Sequence, residues 1–166
     1  IQELDPRYRL ISIGALAVTL GQARRQMTPA VAVAPWNIHA SAQNLAAEYR
    51  RQLRDQQDGI NAMVADQWND NRNRFRAPGG GRSAMGENMQ ATFQRRSGNI
   101  PDTAAPHNPD QIGAGFPDPT GRPAHLFVNN HIGSQWPDRI GTIDNAVNAL
   151  DPLELPSTQM NVSLTA

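Results

Sequence analysis

Read for its hydrophobic and polar positions, the chain opens with an apolar run, LISIGALAV at Leu10–Val18. Leu4, Tyr8, Ile11, Ala15 and Val18 recur at helical spacing, which predicts a helix from about Leu4 to Gln26. The run and its neighbours reach about eleven residues, short of the ~20 that a membrane span needs. No small-residue cleavage site follows, so no signal peptide is expected. A longer pattern starts at Ile38. Ala42, Leu45, Tyr49, Leu53, Gln56, Ile60, Met63, Gln67 and Phe75 follow in steps of mostly three and four, with Val64 and Trp68 beside the line. Polar and charged residues fill the other face. The pattern predicts one long amphipathic helix from about Trp36 to Arg76, bent near Asp58–Gly59. APGGGRS at Ala77–Ser83 breaks it. Met85, Met89, Thr92 and Phe93 predict a shorter helix ending near Ser97–Gly98. Ile143, Val147 and Leu150 form a last stripe, stopped by Pro152 and Pro156 and followed by an extended tail, TQMNVSLTA. The expected fold is mainly α: one long amphipathic helix, shorter helices, a loop-rich region and little or no sheet. Residues 1–35 read as an N-terminal helix and linker to an upstream region, and 36–166 as the functional domain.

Composition narrows the class. At 166 residues, 39% hydrophobic and 18% charged, the chain suits one domain with a modest core. It contains no cysteine, which excludes a disulfide framework and Cys-zinc sites. It begins at Ile1 rather than methionine, as expected for a piece of a longer protein. The net charge is zero, which argues against a simple polyanion-binding module, yet all fifteen basic residues are arginine. They are unevenly placed. Between Arg50 and Arg96, nine arginines face five acids; from Ser97 onward, two face seven. A basic half beside an acidic half suits a phosphate backbone gripped next to a metal-holding site, or simply a solvated helix face. Arg72, Arg74 and Arg76 in NDNRNRFR carry the same two readings: contacts to phosphate and base, or an offset to the helix dipole.

The loop chemistry centres on APHNPDQIGAGFPDPTG, from Ala105 to Gly121. Asn108 reads as an N-cap with Pro109 at the first helical position and Gln111 returning a capping-box hydrogen bond. A short helix would then start there and end at Gly113 and Gly115. That turn lets His107 and Asp110 face one small volume. Histidine is the natural general base near neutral pH, and aspartate can orient it or hold a divalent metal. Alone the motif is weak, since an Asp in a first helical turn is also a good structural choice.

Downstream lies VNNHIGSQWPDRIGTIDNAV, Val128–Val147. HNPDQI with its glycines, followed by VN-x-x-IGSQW-x-x-RI-x-x-ID, resembles the HxxD nuclease domain of bacterial polymorphic toxins, the family called novel toxin fifteen. LRDQQDGINAMVADQWNDNRNRF, Leu53–Phe75, is similar to that family's long helix. The resemblance implies a domain at the C-terminus of a secreted effector. It includes DNases carried by the type VI secretion apparatus behind an upstream delivery region into the target-cell cytoplasm, each paired with a cognate immunity protein. It implies His107 and Asp110 as the catalytic pair, and Asn129, Ile132, Gly133, Ser134, Gln135, Trp136 and Arg139 as the second motif. Asn130 and His131 depart from the family's usual Ser-Ser pair, so no role passes to them.

On this reading His107 deprotonates a water, and Asp110 helps to hold Mg²⁺ or another divalent cation, with waters completing its shell. Arg139 clamps the phosphate, Asn129, Ser134 and Gln135 contact substrate, and Arg72 and Arg74 add attraction for DNA. Trp136 is either a base-stacking surface or a core residue beside Ile132 and Ile140. His125 and His131 are either extra ligands or loop-surface residues. Two alternatives stay open: an RNase toxin, since nothing in HNPD distinguishes ribose from deoxyribose, and a non-enzymatic helical interaction domain.

Overall fold

The computed structural model describes residues 25–81, 102–104, 106–116 and 123–166. Their architecture is mainly α, with strands only two residues long. The predicted helix over Leu4–Gln26 lies outside the described residues except at its end, where Arg25–Gln26 form strand β1 instead of helix. The short helix predicted around Met85–Phe93 also lies outside them.

Helix α1 spans Ala46–Asn61 and is entered through 3₁₀ turns at Ala40–Leu45, kinked at Ala42. Tyr49, Gln52, Leu53, Gln56 and Ile60 are its buried face, as the three-and-four spacing predicts. The single long helix is, however, divided. Helix α2 is Ala65–Arg76, and Val64 before it is extended, at φ −82° and ψ 157°. The interruption falls after Asn61, not at Asp58–Gly59, and the C-terminal segment holds it open. Asn61 exchanges two side-chain hydrogen bonds with the Val162 backbone. The Met63 carbonyl accepts from the Met160 N–H at 3.0 Å and from the Gln159 amide at 2.9 Å. Backbone groups freed by the break are thereby satisfied, as burial demands. The break also shifts the helical phase. Trp68, beside the predicted stripe, is buried, and Gln67, on it, is exposed.

β1 pairs in parallel with β5 (Thr158–Gln159), and β2 (Val31–Ala32) in parallel with β6 (Val162–Ser163). β3 (Thr103–Ala104) pairs antiparallel with β4 (Ala124–His125). The C-terminal segment is extended, as predicted, but it is no loose tail: Met160, Val162 and Leu164 alternate into the core. Helix α3 is Leu126–Gln135, a 3₁₀ turn follows at Trp136–Asp138, and α4 is Ile140–Asn148 with Ile143 and Val147 buried. One core joins the four helices to β2 and the C-terminal segment, with Trp36, Trp68 and Trp136 inside it. Among the described residues, no helix is long and apolar enough to cross a membrane.

Candidate functional site

The loop at 106–116 does not start a helix at Asn108–Pro109. That peptide is cis, and the capping residue is Asp110, whose Oδ1 accepts the Ile112 N–H at 3.1 Å. Asp110 thus opens a single 3₁₀ turn, Gln111–Gly113, which Ala114 closes in the left-handed region at φ 72°. Gln111 lies inside the turn, buried, with its Nε2 3.3 Å from Nε2 of His107, so it is not a capping-box partner.

Helices α1 and α2 hold this loop. From α1, Gln56 accepts the Asp110 N–H at 3.3 Å and the Trp136 indole N–H at 2.8 Å, tying the two sequence motifs through one carboxamide oxygen. Gly59 lets the loop lie against α1, because a Cβ there would stand 2.1 Å from the Asn108 carbonyl oxygen. From α2, Asn71 donates to the Ala114 carbonyl at 2.9 Å. Arg72, expected to attract DNA, is only 4% exposed. Its Nε and Nη2 bind both oxygens of Asp144 on α4 at 3.0 and 2.8 Å, and its Nη1 binds the Ile112 carbonyl at 3.0 Å. The buried Arg72 fork is therefore a structural clamp on the loop, completed by Arg76, which also reaches Asp144. Arg74 and Arg76 are both exposed, and Arg74 bonds Asn71 Oδ1 at 2.6 Å.

The second motif divides in the same way. Trp136 is fully buried, edge-on to Trp36 with centroids 4.9 Å apart, which decides for the core over a stacking surface. Arg139 is not poised as a phosphate clamp. Its guanidinium donates to the carbonyls of Ala34, Gln135 and Pro35 at 3.1, 3.1 and 2.6 Å and lies 4.9 Å from the Trp36 ring centroid. Gln135 is likewise occupied: it accepts from the Asn37 N–H at 2.8 Å and donates to the Asn37 carbonyl at 2.9 Å. Both side chains supply partners to an irregular backbone at 34–37, a structural use of the motif's polar groups. The remaining motif residues turn the other way. Asp110, Asn129, Asn130, Gly133, Ser134 and Pro137 wall an open cleft of about 450 Å³. His107 lies outside those walls, half-buried beside Gln111. The fold thus joins Asp110 with Asn129 and Ser134 and withdraws Arg72, Gln135 and Arg139 into support.

Glu48 sets the start of α3. Its carboxylate accepts from the His125 N–H at 3.0 Å, from Gln52 at 2.9 Å and from Arg51 at 2.7 and 2.8 Å. Burial opposes its ionisation, but the Arg51, His125 and Gln52 hydrogen bonds and the Arg51 charge outweigh that and hold its pKa down at about 2. On α3, burial and the neighbouring His39 lower the pKa of His131, whose Nδ1 lies 2.7 Å from the Tyr49 hydroxyl. Among the described residues, no group of three or more His, Cys, Asp or Glu side chains forms a metal cage, so His125 and His131 are not brought together with Asp110 as a ligand set.

Sequence reasoning missed the supporting shell of Gln56, Gly59, Asn71 and Glu48. One signal was legible: Gln56 falls on an apolar stripe, and a polar group at a core position requires a partner.

A family model described as Novel toxin 15 matches residues 43–101 and 94–165, spans that carry α1, α2, both motifs and the cleft. A search of curated proteins found no match. The matched spans make up most of the chain, which therefore belongs to the Novel toxin 15 family of polymorphic toxin domains.

Proposed function

We propose that this toxin domain is an antibacterial DNase that hydrolyses phosphodiester bonds at the Asp110 cleft. The observation that carries the reading is the cleft itself. It places Asp110 of the first motif against Asn129 and Ser134 of the second, across a sequence gap that only folding closes. Its walls offer one carboxylate and a set of neutral hydrogen-bonding groups, which suits a phosphate held by polar contacts.

The general base in this reading is His107, on the loop that carries Asp110 but behind the cleft's walls, which takes a proton from the attacking water once substrate draws it from Gln111. Asn129 and Ser134 orient the phosphate, and the Gln56, Arg72 and Asn71 contacts keep the loop rigid so that this geometry costs little to reach. Asp110, with its single carboxylate, suits Mg²⁺, which takes one or two carboxylates and keeps several waters, better than a metal needing an all-protein cage. When bound, such a cation supplies charge neutralisation at the phosphate. Export to a target cell and neutralisation by a cognate immunity protein in the producer complete the proposal.

The test is incubation of the purified domain with plasmid DNA and with total RNA, each with Mg²⁺ or chelator. Cleavage of DNA alone, lost with chelator and in His107→Ala, is the expected result. Cleavage of RNA alone makes it an RNase. Cleavage of neither supports a helical interaction domain.

A further inference from the structure

Beside the cleft, three rings cluster on the outer side of α3. His39 stands edge-on to Phe127 and to His131, each with centroids 5.5 Å apart, and Phe127 and His131 lie stacked at 6.1 Å with 24° between their planes. Phe127 is 42% exposed, one of few large apolar side chains so exposed among the described residues. The helix relates this cluster to the cleft. At about 100° per residue, Phe127, Asn130, His131 and Ser134 fall within about 100° of arc on α3. Asn130 and Ser134 wall the cleft. Val128 and Ile132, on the remaining side, are buried in the core. Asn129 and Gly133, which also wall the cleft, lie further round on the side away from the rings, so the rings adjoin the edge of the cleft's arc at Ser134.

The hydrogen-bond network also orients both imidazoles. His39 Nδ1 accepts from the Ser41 N–H at 3.1 Å. His131 Nδ1 accepts from the Gln135 amide N–H at 3.4 Å and lies 2.7 Å from the Tyr49 hydroxyl, which also accepts the His39 backbone N–H at 3.4 Å. With both Nδ1 atoms accepting, each ring carries a proton on Nε2, and neither Nε2 is hydrogen-bonded among the described residues. A metal would need those lone pairs, whereas an acceptor-rich ligand needs those protons.

We propose that the Phe127–His39–His131 cluster is a stacking platform for an unpaired base of the strand cut in the adjacent cleft. An aromatic face next to neutral N–H donors fits a nucleobase, which offers a π-face and edge acceptors and tolerates any sequence. This rests on the nuclease reading. At ~1.5 Å per residue along α3, His131 lies within about one turn of both Asn130 and Ser134, and Phe127 about one turn from Asn130 and two turns (~10.5 Å) from Ser134, so the platform serves a nucleotide flanking the one in the cleft.

The test measures kcat/KM of the full chain with Mg²⁺ on a single-stranded oligodeoxythymidylate and on an abasic oligomer of the same length. The wild type should prefer the base-bearing oligomer by about tenfold or more, the loss expected when stacking on one base is removed. Phe127→Ala and Phe127→Leu should abolish that preference, and Phe127→Trp should restore it. Phe127→Leu retains apolar bulk, so its effect reports the ring rather than folding, and Leu153→Ala, at an exposed position elsewhere, should keep the preference. Wild type that cleaves both oligomers equally, or a Phe127→Leu variant that keeps the preference, overturns the platform and leaves the nuclease reading standing. Wild type that cuts plasmid DNA but neither oligomer also overturns the platform alone, and wild type that cuts none of the three overturns the nuclease reading and the platform with it.

Discussion

Arg72 and Arg74 differ by two positions and by almost everything else. Arg72 is buried against Asp144, so Arg72→Ala strands a carboxylate in the core. Removing one partner of such a pair costs about 3–5 kcal/mol, and the lower end is expected because Arg76 still reaches Asp144. Arg74→Ala, on an exposed side chain, should stay within about 0.5 kcal/mol. Urea denaturation of the two variants measures the contrast, and equal midpoints would contradict it. Asp110 caps its turn, and one substitution can separate that role from the chemistry proposed for it. Asn caps as well as Asp, so Asp110→Asn should leave stability within a few tenths of a kcal/mol. Its DNA cleavage should nevertheless fall by ~100-fold or more if the negative charge serves the reaction. His107→Ala should lose a similar ~10²–10⁴-fold, with an unchanged circular dichroism spectrum.

The contacts between elements explain a residue that helix propensity alone would remove. Gly59 lies inside α1, where Gly→Ala ordinarily stabilises by about 1 kcal/mol. Here the added Cβ would meet the Asn108 carbonyl, backbone that cannot swing aside as a side chain does. Gly59→Ala should therefore destabilise the domain and reduce cleavage together; a more stable, fully active variant would show that the loop does not rest on α1. The α1–α3 contact carries a pH signature. The folded pKa of Glu48 lies near 2, below its ordinary 4.5, so its contribution is complete above pH 4.5 and is lost as pH falls through about 2. The melting-temperature gap between wild type and Glu48→Gln should accordingly be widest near neutrality and close in that acidic window. A gap independent of pH would remove Glu48 from the account.

For the domain as a whole, stability should depend on its last strands. Met160, Val162 and Leu164 are buried, and the same segment bonds the break between α1 and α2. Deleting residues 158–166 should abolish cooperative unfolding, and a truncated chain that melts as sharply as the intact one would refute this. If a cognate immunity protein covers the cleft, hydrogen exchange in the complex should slow at 106–116 and 126–138. Protection confined to the exposed side of α1 would exclude that mode. The reach of the amino-acid pattern follows from the range of the interactions involved. The helices over Ala46–Asn61 and Ile140–Asn148 were legible, because helical periodicity is a property of neighbouring residues and survives any tertiary arrangement. The two motifs were legible as short runs of chemistry. The interruption after Asn61 was not, since the groups that satisfy it are Gln159, Met160 and Val162. Nor was the division of the polar motif residues into cleft and support. Arg139 reads in sequence as a cation free to meet a phosphate. Its fate was set by carbonyls 104 and 105 residues away, unsatisfied backbone acceptors that a buried guanidinium fork could serve.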